Sequence, residues 1–210
     1  MDARALRWYF DFVSPFAYLQ WPRIRALRQA RAVTLVPILF AAVLDARGQK
    51  GPAEIPGKRE FTYRHVLWQA RRAGVPLRFP PAHPFNPLPA LRLAIAAGCG
   101  EAAVDAVFDW IWAQGHAADD PAALRPLAER LGLDEQAPAS APVKAALRAN
   151  TEAALAAGVF GVPTLALGPH LFWGNDAHDF ALAVLDDPGL LDEPEMRRLA
   201  ALPVGAARRP

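Results

Sequence analysis

Segments rich in aromatic and β-branched residues stand at the two ends of this chain, and the long middle reads as helix. "LRWYFDFV" (6–13) and "AVTLVPIL" (32–39) read as strands. The stretch between them, "PFAYLQWPRIRALRQA", carries Phe16, Leu19, Ile24 and Leu27 at helical spacing. Pro22 falls inside that helix and is expected to bend it or divide it in two. Strand, helix and strand so spaced predict a β-α-β unit with a right-handed crossover. Residues 41 to 57 read as loop, carrying Gly48, Gly51, Pro52, Pro56 and Gly57. From Lys58 to Ala157 the pattern is helical, broken by "PLRFPPAHPFNPLP" (76–89), by "DDP" (119–121) and by "DEQAPASAP" (134–142). Strands return as a hairpin at "TLALG" (164–168) and "LFWG" (171–174), before a last helix from about Asp176 and a Pro/Arg tail.

Composition narrows what such a chain does. With 210 residues, 53% hydrophobic and 21% charged, it can bury a core as one large domain or a domain with an insertion. The net charge is +2, and the basic groups are mostly arginines scattered along the chain. A nucleic-acid binder needs a focused basic face, which this distribution does not supply. Cys99 is the single cysteine, which excludes an internal disulfide and a Cys-x-x-Cys redox pair. It lies in "AIAAGCGEAA", where a buried, inert thiol is expected. Arg4 and Arg7 precede no apolar stretch with a cleavage site, and no apolar run approaches the ~18 residues of a membrane span. The chain is expected in the cytoplasm, without membrane or nucleic-acid partners. No His/Cys/Asp/Glu set has metal-ligand spacing, and no glycine-rich phosphate loop follows a strand.

Two short motifs carry chemistry. Ser14-Pro15 follows the first strand. Serine is a preferred helix cap and proline a preferred first helical residue, so the pair reads as an ordinary helix start. The same geometry sets a hydroxyl over a helix N-terminus, where an anion such as a bound thiolate is favoured. Val162-Pro163 enters a strand through a proline, which cannot donate to the sheet ladder. It reads either as a plain turn or as a cis bond that presents the Val162 backbone as an edge for pairing.

Together, "FDFVSPFAYL" and "GVFGVPTLALGPHLFWGND", with "PGKREF" and "LPALRLA" between them, resemble the kappa-class glutathione transferase and 2-hydroxychromene-2-carboxylate isomerase group. That group belongs to the DsbA-like branch of the thioredoxin superfamily. The resemblance implies an α/β thioredoxin-like fold with a large all-helical insertion, the β-α-β and β-β-α halves being 1–57 and 158–210 and the insertion 58–157. It also implies a glutathione site. Ser14 would activate the glutathione sulfur, and Val162, before Pro163, would pair with the cysteinyl backbone. Asn175 and Asp176 of "GND" would hold the γ-glutamyl end, with Lys58 and Gln49 as further contacts. Arg92 of "LPALRLA" matches a family arginine.

Where similar isomerases carry "K-x-x-Y…R-D…R", "KREFTYRHVLWQA" has Phe61, His65 and Trp68 in place of tyrosine, aspartate and the last arginine. The three share one helix face. Ala177 stands where arginine is usual. With Phe16, His83 and Asn86, these three residues are the expected substrate pocket, and His65 reads as either an acid/base group or a packed helix residue. The resemblance implies a glutathione-dependent isomerase acting on a small aromatic carboxylate, working as a homodimer. A conjugating transferase and a non-catalytic binding protein are the alternatives.

Overall fold

The structure, a computed structural model, describes residues 5–206; Arg4 and the last four residues of the Pro/Arg tail lie outside the described residues. Among the described residues four strands form one sheet in the order β2-β1-β3-β4. β1 (Leu6–Phe10) runs parallel to β2 (Val33–Pro37) and antiparallel to β3 (Thr164–Leu167), and β4 (His170–Trp173) lies antiparallel on β3. α1 (Pro15–Ala30) makes the crossover between β1 and β2. Sequence and structure agree on a thioredoxin-like α/β fold with inserted helices.

Three local expectations change. Pro22 does not divide α1, which runs through it, because Tyr18, Leu19, Trp21 and Ile24 are buried on both sides of the proline. The proline itself faces solvent. Residues 41 to 57 are not simply loop: α2 (Phe40–Ala46) is anchored by the fully buried Val43, and a 3-10 turn spans Pro52–Glu54. The Glu54 carboxylate accepts the Gly51 N–H at 2.5 Å, which closes that turn. β1 ends at Phe10 rather than Val13, because Asp11 turns its backbone and side chain to other duties described below.

The middle of the chain holds α3 (Lys58–Ala73), α4 (Leu88–Ala96), α5 (Glu101–Phe108) with a π turn over Asp109–Ala113, α6 (Arg125–Arg130) and α7 (Ala141–Ala156). α8 (His178–Asp186) and α9 (Pro194–Ala200) follow the hairpin. α8 begins after Ala177, without a side-chain cap, two residues later than the start near Asp176 that the sequence suggests.

Alternation along β1 sorts the sheet into two faces. Leu6, Trp8 and Phe10 join Leu35, Leu165 and Leu167 on one, while Tyr9 and Ala166 join Val43 of α2 and Ala154 of α7 on the other. The first face is aromatic: Trp8 stacks on Phe10 at 4.5 Å, and Phe108 of α5 meets Phe12 at 4.8 Å. Each such buried ring contributes ~1.5–3 kcal/mol. Polar contacts then fix the register of the inserted helices. The Trp112 indole N–H donates to the Phe12 carbonyl (2.8 Å), Trp21 to Asp105 (2.9 Å), and the Tyr18 hydroxyl to the Pro76 carbonyl (2.5 Å).

A buried polar chain ties α1 to the loop after β4. The Trp8 indole N–H donates to Gln20 Oε1 at 2.7 Å, and Gln20 Nε2 donates to the Gly174 carbonyl at 3.3 Å. The same amide nitrogen lies 3.5 Å from His178 Nδ1. Burial, with Arg23 nearby, pushes His178 down to about 4, so its ring is neutral and Nδ1 accepts.

Candidate active site

The β1–α1 turn is held at every peptide. The Ser14 N–H donates to the Asp11 carbonyl at 3.1 Å, and the Val13 N–H to Asp11 Oδ1 at 3.0 Å. Asp11 Oδ2 accepts the Phe40 N–H at 2.9 Å, which joins the turn to the start of α2. Asp11 is fully buried, and desolvation pushes it up to about 7 against the opposing pull of the backbone N–H groups of Phe40, Val13 and Phe12.

Ser14 is the cap of α1. Its Oγ accepts the Ala17 N–H at 3.2 Å, which leaves the hydroxyl proton free to donate elsewhere. Pro15 opens the helix and no acidic residue occupies the first turn, so the positive end of the helix dipole is left unneutralised. A thiolate beside this hydroxyl would be stabilised by both.

Facing the turn is the loop into β3. The Val162–Pro163 bond is cis. Thr164 Oγ1 donates to the Gly161 carbonyl at 2.8 Å, and the Gly174 N–H donates to the Pro163 carbonyl at 2.8 Å, so the "GND" loop is tied to the prolyl loop. A side chain at Gly161 would overlap the Trp173 indole, which explains the glycine. Among the described residues the Val162 N–H and C=O make no hydrogen bond, so this edge is open.

Between the two loops lies a cavity of ≈ 460 Å³. It brings together five of the expected residues: Ser14, Phe16, Gln49, His83 and Val162. Its remaining walls are mainly apolar, with Phe40 and Leu44 of α2 on one side and Phe85 and Trp173 on others. The ionisable groups that line it are Asp45, Glu54 and His83.

The other expected residues do not line this cavity. Lys58 is exposed at the first position of α3. Pro163 is buried behind Val162. Asn175 and Asp176 follow Gly174; Asp176 is exposed, and Asn175 Oδ1 is buried with no partner among the described residues. Asn86 Oδ1 accepts the Leu88 N–H at 3.2 Å and so serves the start of α4. Phe61, His65 and Trp68 form a stacked ladder on the outer face of α3, with ring separations of 5.5 and 6.0 Å. Phe61 is 66% exposed and Trp68 54%. Phe16 links this ladder to the cavity, 6.4 Å from His65. Cys99 sits in the α4–α5 break, its thiol 4.0 Å from the Leu35 carbonyl and pushed up to about 12 by burial, as befits an unreactive group.

Comparison with known proteins agrees with this fold. Residues 5–186 match the DSBA-like thioredoxin domain. The chain is 34% identical over 177 residues to the 2-hydroxychromene-2-carboxylate isomerase of Pseudomonas putida, covering 80% of this chain and 87% of the relative. It is 31% identical over 193 residues to the isomerase of the same name from Sphingobium xenophagum, covering 88% and 99%. The chain belongs to the 2-hydroxychromene-2-carboxylate isomerase family. A solved isomerase structure superposes on it with a TM-score of 0.72 at 29% identity, over 95% of this chain and 100% of that one. A cytosolic disulfide reductase of Pseudomonas aeruginosa, DsbM, solved with GSH, shares the fold (TM-score 0.57, 20% identity, 92% and 99% covered).

Within this isomerase-family fold, sequence reasoning missed several groups that build the site. Asp11 was overlooked, although an acid inside the apolar run "YFDFV" is itself a signal, since a buried charge needs partners. Phe40 and Leu44 were missed because α2 was read as loop. Tyr63 and Arg59, which face His83, carry no signal in one sequence, because their partner is distant along the chain.

Proposed function

We propose that this chain is a cytoplasmic, glutathione-dependent isomerase of the 2-hydroxychromene-2-carboxylate type, acting on an aromatic carboxylate in aromatic-compound breakdown and working as a homodimer. The observation that carries the reading is the meeting of the Ser14 hydroxyl and the open Val162 backbone edge at one cavity. The residues fit a small thiol peptide: a peptide edge without a partner, a hydroxyl free to donate, and a buried Asn175 oxygen without a partner in the adjoining loop. DsbM, a relative in fold, is a protein that has been solved with this tripeptide.

In this reading Val162 pairs with the cysteinyl backbone, Asn175 and Asp176 hold the γ-glutamyl end, and Gln49 and Lys58 contribute from the other side. When bound, glutathione supplies a nucleophilic sulfur that adds reversibly to a conjugated substrate and permits rotation about the former double bond. The protein's own work is to acidify and aim that sulfur. The Ser14 O–H and the α1 N-terminus favour the deprotonated thiol, and lowering a value near ~8.5 by one or two units corresponds to ~1.4–2.7 kcal/mol. Phe16, Phe40, Phe85 and Trp173 exclude water and hold the aromatic ring against the reacting sulfur.

The test is product analysis with glutathione and 2-hydroxychromene-2-carboxylate. Isomerised product with glutathione recovered unchanged supports the reading. A released conjugate assigns the chain to transferase chemistry instead, and no saturable glutathione binding at millimolar concentration leaves a non-catalytic binding protein.

A further inference from the structure

His83 lines the cavity, but both of its ring nitrogens point into protein. Nε2 lies 2.8 Å from the Val13 carbonyl, which can only accept, so Nε2 carries the proton. Nδ1 lies 2.7 Å from the Tyr63 hydroxyl of α3. That hydroxyl is also 2.7 Å from the His83 carbonyl, which already accepts from Arg59 Nη2 at 2.9 Å. Arg59 Nε in turn donates to the Tyr63 oxygen at 3.2 Å. The Tyr63 O–H is within reach of both the His83 carbonyl and Nδ1. The carbonyl already accepts from Arg59, whereas the Nδ1 lone pair left by the Nε2–H tautomer faces this hydroxyl, which assigns the Tyr63 proton to Nδ1. Phe79, Phe85 and Trp112 pack around the ring at 5.9, 6.2 and 5.5 Å. Burial, with the Arg59 charge, lowers the His83 value despite the Val13 contact, in keeping with a neutral ring.

The acceptor of that Nε2–H matters. The Val13 carbonyl and the Ser14 N–H belong to one peptide plane. Asp11 holds the N–H end at 3.1 Å and His83 holds the carbonyl end at 2.8 Å. A peptide gripped on both edges cannot rotate, and its orientation sets where the Ser14 side chain leaves the backbone.

We propose that His83 is a positioning residue: a neutral strut, locked by Tyr63 and Arg59 of α3, that fixes the Val13–Ser14 peptide and thereby aims the Ser14 hydroxyl at the thiol. The strut couples α3 to the catalytic turn and gives His83 a role distinct from substrate contact. It rests on the reading of the cavity as a glutathione-thiol site.

Two measurements separate the strut from that reading. The first is nitrogen NMR of the His83 ring in the unliganded protein, where the strut requires the proton on Nε2 and a hydrogen-bonded lone pair on Nδ1. A proton on Nδ1 in the neutral ring overturns it, whatever glutathione does. The second is an ultraviolet titration of the bound glutathione thiol in two conservative variants whose folding is checked by circular dichroism. His83→Gln can still donate to the Val13 carbonyl from the Nε2 position and keeps the thiol's acidity within about threefold of wild type. His83→Asn reaches only the Tyr63 side and raises the thiol value by about one unit, a roughly tenfold loss of thiolate. Equal thiol values in both variants and wild type overturn the strut while leaving the site reading intact. Absence of glutathione binding by wild type instead overturns the site reading, and the ring spectrum alone then decides whether the strut exists.

Discussion

The two sides of the cavity are built differently. On the side of the β1–α1 turn, the peptides around Ser14 are hydrogen-bonded, the turn rests on a fully buried aromatic core, and the carboxylate of Asp11 is spent on backbone groups. On the side of α3, Phe61 and Trp68 lie exposed on either side of the half-buried His65, and Phe16 links this stack to the cavity. A rigid wall can hold a reacting sulfur to within the tolerance that chemistry needs, whereas a loosely held aromatic face can be altered at little cost in stability. Three of the four departures from the isomerase pattern, Phe61, His65 and Trp68, fall on the loosely held face of α3, and the fourth, Ala177, precedes α8.

The largest effect is expected where the rigid wall meets its core. Phe108→Ala removes the ring that touches Trp8, Phe10 and Phe12 and is expected to cost ~3–5 kcal/mol of folding free energy in denaturant titration. A loss under about 1 kcal/mol would mean that the core does not clamp the turn.

Next comes Ser14. Ser14→Ala is expected to lower kcat/KM about 10²-fold and to raise the bound thiol's pKa, as loss of one donor to a developing charge does. Because the serine also caps α1, Ser14→Gly provides the control: it keeps most of the cap energy and still lacks the hydroxyl, so it should be nearly as inactive but more stable than the alanine variant. Equal activity in all three proteins would remove Ser14 from the chemistry.

A smaller, pH-dependent effect tests Asp11. Its folded value of about 7, against an ordinary 3.8, makes its contribution to stability complete below about pH 4 and lost as pH rises toward 7. His178, at about 4 against 6.5, does the reverse: its contribution is present above pH 6.5 and lost as pH falls toward 4. Asp11→Asn leaves the histidine's slope alone, so its stability relative to wild type should climb between pH 4 and 7, by roughly 3 kcal/mol. Denaturant midpoints that run parallel over that range would show a carboxyl titrating as it does in water.

The smallest change in stability belongs to the outer face. Phe61→Ala and Trp68→Ala are expected to shift folding stability by no more than about 0.5 kcal/mol and to alter KM for the aromatic substrate more than kcat. A loss of several kcal/mol would show that this face is structural after all.

Much of this was legible in the sequence, for definable reasons. The strand alternation of "LRWYF" and the turn pairs Ser14-Pro15 and Val162-Pro163 report local constraints that a neighbouring residue imposes, and local constraints survive in one dimension. α2 was hidden because the glycines and prolines after it made the whole stretch look irregular, while the signal that holds it is a single buried Val43. The Arg59–Tyr63–His83–Val13 contacts were illegible because they join residues far apart along the chain, and nothing in "FTYRH" or "AHPFN" names its partner. Phe61, His65 and Trp68 were correctly assigned to one helix face, but periodicity does not say whether a face looks into a cavity or into water.

One structure tests the whole account: the protein crystallised with reduced glutathione. Its sulfur should sit within hydrogen-bonding distance of Ser14 Oγ while the cysteinyl N–H and C=O pair with Val162. Glutathione lodged elsewhere, or a sulfur turned away from that hydroxyl, would contradict the account.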